Sequence, residues 1–429
     1  MSKGKLRKKI YKCFIAMLCT FMVFPITIVD AAVINNGAIY GIDTNNIANW
    51  PQGPEIYSET AVLMEAETGV VLYNKGMNEK RYPASITKIM TAMLALEHCT
   101  LDEQVVFTET CLQDQIAGSG NIAMQVGEIL TMEECLLACM VRSANDVATQ
   151  IAEHVGGTVE NFVNMMNQKA QELGCQNTHF ANASGMPDDN HYSTAYDMAL
   201  IFQEAIKNED FVRIIGTQSF SIGPTNMNAE VKTFSTHHAL VAKSAPEYYE
   251  GCFGGKTGVT NAAKNTLVSG VTRNGMTLIA VAFRAEPGEV VYDHTQLFNY
   301  GFDHFQKVPV EGGAVVIPNG VDYTALYMEE KVENNTNIRQ YYYAENYYVG
   351  NAMIVIPTST PEIIIMEETN EVQSEKNLVL ETNDELEKAE QTLKDIYWYI
   401  IYIFIGVVGI SLIITIVASM KKRKKKRKH

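Results

Sequence analysis

Positive charge is scarce through the body of this sequence. Of 34 Lys and Arg in 429 residues, six fall in residues 1–12 and eight in the last nine, which leaves 20 in between. Those 20 face 48 of the 49 Asp and Glu, since only Asp30 lies in the leading segment, so the body carries close to −28 against a whole-chain net of −15. Such a surface repels nucleic acid and anionic lipid, which excludes a DNA- or RNA-binding module. No C-x-x-C pair occurs, so neither a zinc ribbon nor a required disulfide framework is expected. Cys135 and Cys139 stand one helical turn apart, an awkward separation for a disulfide, and buried free thiols are the expectation. His-Glu-x-x-His is also missing, and the nine His form no tight metal triad in the sequence, so no metal and no cofactor is expected. The adjacent His237 and His238 read as a loop. There is no internal repeat.

The features that are present begin at the two ends. Lys3, Lys5, Arg7, Lys8, Lys9 and Lys12 precede an apolar run from Cys13 to Phe24, with small residues at Ala31 and Ala32. That pattern reads as a secretory signal peptide over 1–31, or as an uncleaved anchor; both put the body of the chain outside the cytoplasm. Tyr397 to Met420 carries no charge and is long enough for a ~30 Å hydrocarbon core at ~1.5 Å per residue. Lys421 to Lys428 come directly after it. By the positive-inside rule the tail, 421–429, is cytoplasmic, while Tyr397, Trp398, Tyr399 and Tyr402 mark the outer interface. The expected location is therefore the cell membrane, single-pass, with the body outside.

Between the ends, 47% hydrophobic residues supply a large core, and length suggests two or three units. Residues 32–55 read as a linker. Ala61 to Ala66 and Val70 to Tyr73 around Glu67-Thr68-Gly69 predict a hairpin. Pro83 precedes a helical stretch that Ser85 opens, and mostly helical sequence continues to about Lys207. Within it Glu133 to Val141 and Asp146 to Val155 are two helices broken at Arg142-Ser143-Ala144-Asn145, and Glu160 to Leu173 is a third. From about Val231 the texture turns to strands, with Thr266 to Thr272 and Met276 to Phe283 joined by an Asn274-Gly275 turn. Gly301 to Phe305 closes the domain with a last helix. The fold class is α+β, a helical cluster packed on an antiparallel sheet over 56–306. A small β-rich module comes next at 307–357, then an acidic stalk at 358–396 and the membrane helix at 397–420.

Three short patterns occur in order: Ser85-x-x-Lys88, Ser143-x-Asn145 and Lys256-Thr257-Gly258. Singly they are weak, since Ser2…Lys5 and Ser419…Lys422 also satisfy the first and Ser119-Gly120-Asn121 the second. Context selects the set: Ser85 opens a helix, Ser143 lies between two, and Lys256 enters the strands. A serine hydroxyl attacks only when a neighbouring base takes its proton. Positions three apart share a helix face, so Lys88 reaches Ser85. Lysine serves as a base when neutral, which burial and a nearby cation favour; Lys256 is the candidate cation. The backbone N–H of Ser85 and one near Val259 are candidate oxyanion donors. Ser143 is placed to relay the proton, Asn145 to bind a substrate amide, and Lys256 with Thr257 to meet a carboxylate.

This set resembles the active-site motifs of serine penicillin-recognising enzymes. The flanks narrow the resemblance. Pro83-Ala-Ser-Ile-Thr-Lys-Ile-Met-Thr-Ala, Ser143-Ala-Asn-Asp146, Asn182-Ala-Ser-Gly-Met, Ser193-Thr-Ala-Tyr-Asp197 and Gly255-Lys-Thr-Gly-Val-Thr260 resemble D-alanyl-D-alanine carboxypeptidases, the low-molecular-mass penicillin-binding proteins. The resemblance covers roughly residues 55–305. It implies a penicillin-binding/β-lactamase-like transpeptidase fold and release of the terminal D-alanine from peptidoglycan stem peptides through an acyl-enzyme. It implies acylation by β-lactams as well. By that resemblance Ser85, Lys88 and Ser143 are catalytic, and Asn145, Lys256, Thr257, Gly258 and Val259 bind substrate. Ser235-Thr-His-His238 departs from many relatives, Val259 stands where some have His, and Arg284 is a candidate for the basic residue that helps hold the substrate carboxylate in some members.

Two other outcomes stay in view. A class A β-lactamase needs a deacylating Glu, and Glu160-Asn-Phe-Val-Asn164 is a near-match that fits an amphipathic helix surface. A penicillin sensor would be acylated and stay so, but a nine-residue basic tail is no signalling domain.

Overall fold

The computed structural model describes residues 34–354 except 35, 117, 334, 335 and 345. The expected signal peptide, stalk, membrane helix and basic tail lie outside the described residues. Among the described residues no helix is long and apolar enough to cross a membrane.

The strands are β1 (Thr60–Glu65), β2 (Val71–Lys75), β3 (Gln104–Val106), β4 (Ile129–Thr131), β5 (Ser219–Ile222), β6 (Lys232–Ser235), β7 (Cys252–Thr260), β8 (Lys264–Arg273) and β9 (Met276–Ala285). A second group comprises β10 (Phe305–Val310), β11 (Gly313–Pro318), β12 (Tyr327–Glu333), β13 (Thr336–Tyr343) and β14 (Tyr347–Met353). The helices are α1 (Lys88–His98), α2 (Met132–Met140), α3 (Asn145–Gly156), α4 (Val159–Glu172), α5 (Ala195–Ala205), α6 (Glu209–Ile215) and α7 (Glu289–His304).

The main sheet runs β2-β1-β9-β8-β7, antiparallel throughout. Its centre is apolar on both faces, and strand alternation sorts the side chains. Val62 and Met64 of β1, with Ile279, Val281 and Phe283 of β9, enter one core; Ala61, Leu63, Leu278, Ala280 and Ala282 enter another. The first core takes the apolar faces of α1 to α6, including Ile89, Met93, Leu136, Ile151, Phe162 and Phe202. The second takes Leu297 and Phe298 of α7, together with Val315, Val316 and Ile317 of β11. The molecule is therefore layered, with a helical cluster on one face of an antiparallel sheet.

The second sheet, ordered β10-β11-β14-β13-β12, shares that second core. Trp50 joins the two, its ring 4.9 Å from those of Phe305 and Tyr347 and its Nε1 donating to the Leu72 carbonyl. Residues 42–56, expected from the sequence to be mostly linker, are packed in part, with Ile42, Trp50 and Ile56 buried. Scattered aromatic and Pro residues hid this, because no period marks a segment that packs in extended form.

Other elements differ from expectation. Ser85 sits in a 3-10 turn, Ala84–Thr87, and the α-helix begins only at Lys88. Strand structure resumes at Ser219 rather than Val231, in the β5–β6 hairpin. The last helix is α7, sixteen residues long rather than the short Gly301–Phe305 segment. Its inward stripe contains the polar Asp293 and His294, both fully buried, which break the apolar period. Asp293 is satisfied there by the N–H groups of Tyr57 and Ser58 and the Ser58 hydroxyl. The cysteines Cys99, Cys111, Cys135, Cys139, Cys175 and Cys252 are all free thiols.

Candidate active site

The turn carrying Ser85 is held under tension from two sides. Ala84 has φ +51, a region that costs a residue with a β-carbon roughly 1–3 kcal/mol. Thr266 of β8 donates to the Pro83 carbonyl at 2.9 Å, tying the turn to the sheet. Gly258 of β7 lies close enough that a β-carbon there would stand 2.9 Å from the Ser85 nitrogen. The glycine of Lys256-Thr257-Gly258 thus lets the strand backbone run beside the nucleophile's N–H, where the expected oxyanion donors belong.

Lys88 is fully buried one helical step further on. Its Nζ lies 3.0 Å from Ser85 Oγ, 2.6 Å from Asn145 Oδ1 and 2.5 Å from the Ser184 carbonyl. Two of these partners are pure acceptors. As an ammonium Lys88 donates to Ser85 Oγ as well; once it loses a proton it keeps its N–H groups on the two acceptors and turns its lone pair to the Ser85 hydroxyl, whose proton it can take. Burial pushes the Lys88 amine down to about 8, with Cys139, Asp114 and Asp146 opposing. That downward shift brings the neutral form within reach near neutral pH.

Ser143 occupies the turn between α2 and α3 with φ +64, the second strained position in the site. Lys256 Nζ donates to Ser143 Oγ at 3.0 Å and to the Thr257 carbonyl at 2.9 Å. Burial first, then the neighbouring Lys88 amine, pushes Lys256 down to about 7. The sequence made Lys256 the candidate cation that depresses Lys88. In the structure burial is the leading cause for both, and the repulsion between the amines falls on Lys256, which Lys88 lowers, rather than on Lys88.

A cleft of about 700 Å³ opens over these groups. Ser85, Ser143, Asn145, Thr257, Gly258 and Val259 line it, while Lys88 and Lys256 lie behind the wall with Ser85 and Ser143 in front of them. All eight residues singled out from the sequence meet at this one place. Arg284 does not: its guanidinium is bound to Glu59 at 2.8 Å and to the Ala262 carbonyl. Glu160 is exposed on α4 and is not part of the cleft lining. A second pocket, about 510 Å³, lies on the small sheet among Val321, Leu326, Tyr327, Tyr342 and Tyr343, and holds no serine or lysine.

Residues to which the sequence assigned no role act as support. Asn182 Oδ1 accepts from the N–H groups of Gly185 and Met186, folding Asn182–Met186 into the turn that aims the Ser184 carbonyl at Lys88. Gly185, at φ +83, backs directly onto the Ala84 carbonyl. Asp114 receives the Ser184 and Thr149 hydroxyls. The Asn-x-Ser-Gly pattern was the available signal; nothing marked Asp114. One mixed donor group, Cys99, Glu103 and His154, has ligand atoms within 4.8 Å of one another, a clustering the sequence separation concealed. It lies at the C-terminal ends of α1 and α3, where Glu103 and His154 already pair at 2.8 Å.

A serine hydroxyl beside a buried lysine, with a second serine–lysine pair across the cleft, is the arrangement of a serine acyl-transfer hydrolase. Comparison with known proteins gives the family. Residues 47–287 match the family model described as Peptidase_S11, D-alanyl-D-alanine carboxypeptidase. The D-alanyl-D-alanine carboxypeptidase DacF of Bacillus subtilis is 35% identical over 256 residues, 59% of this chain and 64% of that relative. The chain thus spans less than two thirds of DacF. The D-alanyl-D-alanine carboxypeptidase of Streptomyces sp. strain K15 is 30% identical over 63% of this chain and 97% of its own length. The crystal structure of the Streptomyces K15 DD-transpeptidase superposes with a TM-score of 0.55 at 29% identity, covering 59% of this chain and 100% of that one. This chain belongs to the S11 family of serine D-Ala-D-Ala carboxypeptidases.

Proposed function

We propose that this protein removes the terminal D-alanine from peptidoglycan stem peptides, working at the outer face of a membrane to which its C-terminal segment, 397–420, tethers it. The observation that carries the chemistry is the Lys88 amine, buried and shared among Ser85, Asn145 and Ser184. The Ser85 oxygen attacks the carbonyl carbon of the penultimate D-Ala while its proton passes to Lys88. Negative charge on the carbonyl oxygen is met by the Ser85 N–H and an N–H of β7. The C–N bond then breaks as Ser143, in contact with Lys256, relays to the departing D-Ala amine the proton that Lys88 took, so that Lys88 is neutral and Ser143 a hydroxyl again. Water next attacks the Ser85 ester, Lys88 takes a proton from it and returns it to the Ser85 oxygen as the ester C–O bond breaks, and the shortened peptide leaves. A β-lactam enters the same first step: its lactam C–N bond breaks, but the nitrogen stays tethered to the acyl group through the rest of the molecule and does not depart.

The test is the purified full chain with a diacyl-D-Ala-D-Ala peptide and a fluorescent penicillin. Free D-Ala and a covalent penicillin label are both expected. Label without D-Ala would instead mark a sensor, and rapid penicillin hydrolysis a β-lactamase; the absence of any carboxylate from the described cleft lining disfavours the latter.

The tether rests on the uncharged run Tyr397–Met420 and the basic residues after it. In intact cells, external protease should remove the body and leave a membrane fragment carrying a C-terminal tag. Release of the whole chain by carbonate washing would refute the tether.

A further inference from the structure

The described residues lining the cleft include one side chain that is charged at neutral pH, Arg142, and no acid. The two lysines of the site stand behind the wall, engaged by Ser85 and Ser143. Arg142 is half-buried and immediately precedes Ser143 in the turn between α2 and α3. Among the described residues the other arginines are occupied. Arg81 and Arg284 pair with Glu59, Arg213 with Glu133 and Asp210, and Arg339 with Glu330; Arg273 stacks against Tyr249 and Phe302. Arg142 has no carboxylate within ion-pair reach among the described residues, in a body where acids outnumber bases by more than two to one.

Its guanidinium makes one side-chain contact, Nη1 to His237 Nε2 at 3.3 Å. Arg142 is the donor there, so Nε2 holds a lone pair and the ring is neutral. Partial burial, then the Arg142 and Lys256 charges, holds the His237 ring below the ordinary imidazole range. His237 itself lines the cleft, as does Thr257. The arrangement is a cation oriented by a neutral acceptor, with its remaining N–H groups free for an anion. A guanidinium presents paired donors that match a carboxylate.

We propose that Arg142, oriented by His237, binds the C-terminal carboxylate of the substrate, with the Thr257 hydroxyl completing the subsite. The proposal rests on the carboxypeptidase reading and gives that reading its specificity for a free chain end. It replaces Arg284, whose donors go to Glu59 and the Ala262 carbonyl.

The experiment compares a diacyl-D-Ala-D-Ala peptide with its C-terminal amide, on the full chain, by kcat and KM. Wild type should prefer the acid. Arg142→Gln should lower kcat/KM for the acid about 10- to 100-fold, the scale of one lost charged hydrogen bond, and change the amide little. His237→Ala should raise KM for the acid, and His237→Gln, which restores an acceptor, should recover it. An acid-to-amide preference unchanged in Arg142→Gln would overturn the assignment. If that variant does not fold, wild-type protein answers the question. The acid but not the amide should shield Arg142 from phenylglyoxal, read by peptide mass spectrometry, and equal modification with both would overturn it. Wild type that cleaves neither peptide and takes no penicillin would sink the carboxypeptidase reading itself, and this subsite with it.

Discussion

Ser85→Ala abolishes both D-Ala release and penicillin labelling, with a loss on the order of 10⁶ in turnover, the scale of removing a serine nucleophile. The expectation comes from position. Among the described residues Ser85 is the one hydroxyl that both lines the cleft and lies 3.0 Å from the Lys88 amine. Ser143 also lines the cleft, but its amine partner is Lys256, and Ser184 reaches Lys88 through its carbonyl rather than its hydroxyl. The substitution removes a single oxygen from a half-buried side chain and leaves the Ala84 turn, Gly258 and the Thr266 contact in place. Folding should therefore be unaffected, as a thermal melt would check. An intact-mass measurement after penicillin should show the adduct on wild type and none on the variant. An adduct of equal yield on Ser85→Ala would show that another group is the nucleophile.

Lys88→Met slows acylation by about 10²- to 10⁴-fold, the range supplied by a positioned general base. Methionine keeps an unbranched stem in the buried channel and deletes the amine. It also leaves Asn145 Oδ1 and the Ser184 carbonyl without their partner, so a loss of about 1–3 kcal/mol in stability accompanies it. The two effects separate experimentally. Denaturant titration reads the stability loss, while single-turnover labelling at a temperature where the variant is fully folded reads the base. A labelling rate within about threefold of wild type would remove Lys88 from the proton transfer.

The sequence carried the chemistry further than it carried the architecture. Ser85, Lys88, Ser143, Asn145 and Lys256-Thr257-Gly258 were legible because acyl transfer demands particular atoms at particular spacings, and the structure gathers them at one cleft. The hairpin of β1 and β2 was legible from alternation around Gly69, whose φ is +70. Helix α7 was not, because Asp293 and His294 sit on its inward face and interrupt the apolar stripe. The packing of Trp50 was not either, since it depends on Phe305 and Tyr347, hundreds of residues away. The same limit explains Arg142. In the sequence it is one basic residue at a helix break; only the fold shows that Arg284 is consumed by Glu59 and that Arg142 faces the cleft. Tertiary partners decide which charges are spent and which are free.

The strained turns support the same account. Two positive-φ positions, Ala84 next to Ser85 and Ser143 itself, fall at the two serines that contact the buried lysines. Each turn is held by groups that also belong to the site: Ala84 by Gly185, next to the carbonyl that holds Lys88, and Ser143 by Lys256. Strain of roughly 1–3 kcal/mol per position persists only where surrounding packing determines it. Here that packing also fixes the distance between hydroxyl and amine.

The claim on which the account turns is that Lys88 works as an uncharged amine, and the pH dependence of the penicillin acylation rate tests it most directly. Burial lowers Lys88 to about 8 and Lys256 to about 7, and the two share one dry site, so the fraction of protein with a neutral Lys88 grows as pH rises. The second-order labelling rate should therefore climb about tenfold per unit below about pH 7, bend near about 8 and level above about 9. A rate that is flat from about pH 6 to 9, or that falls across that interval, would contradict a neutral-lysine base.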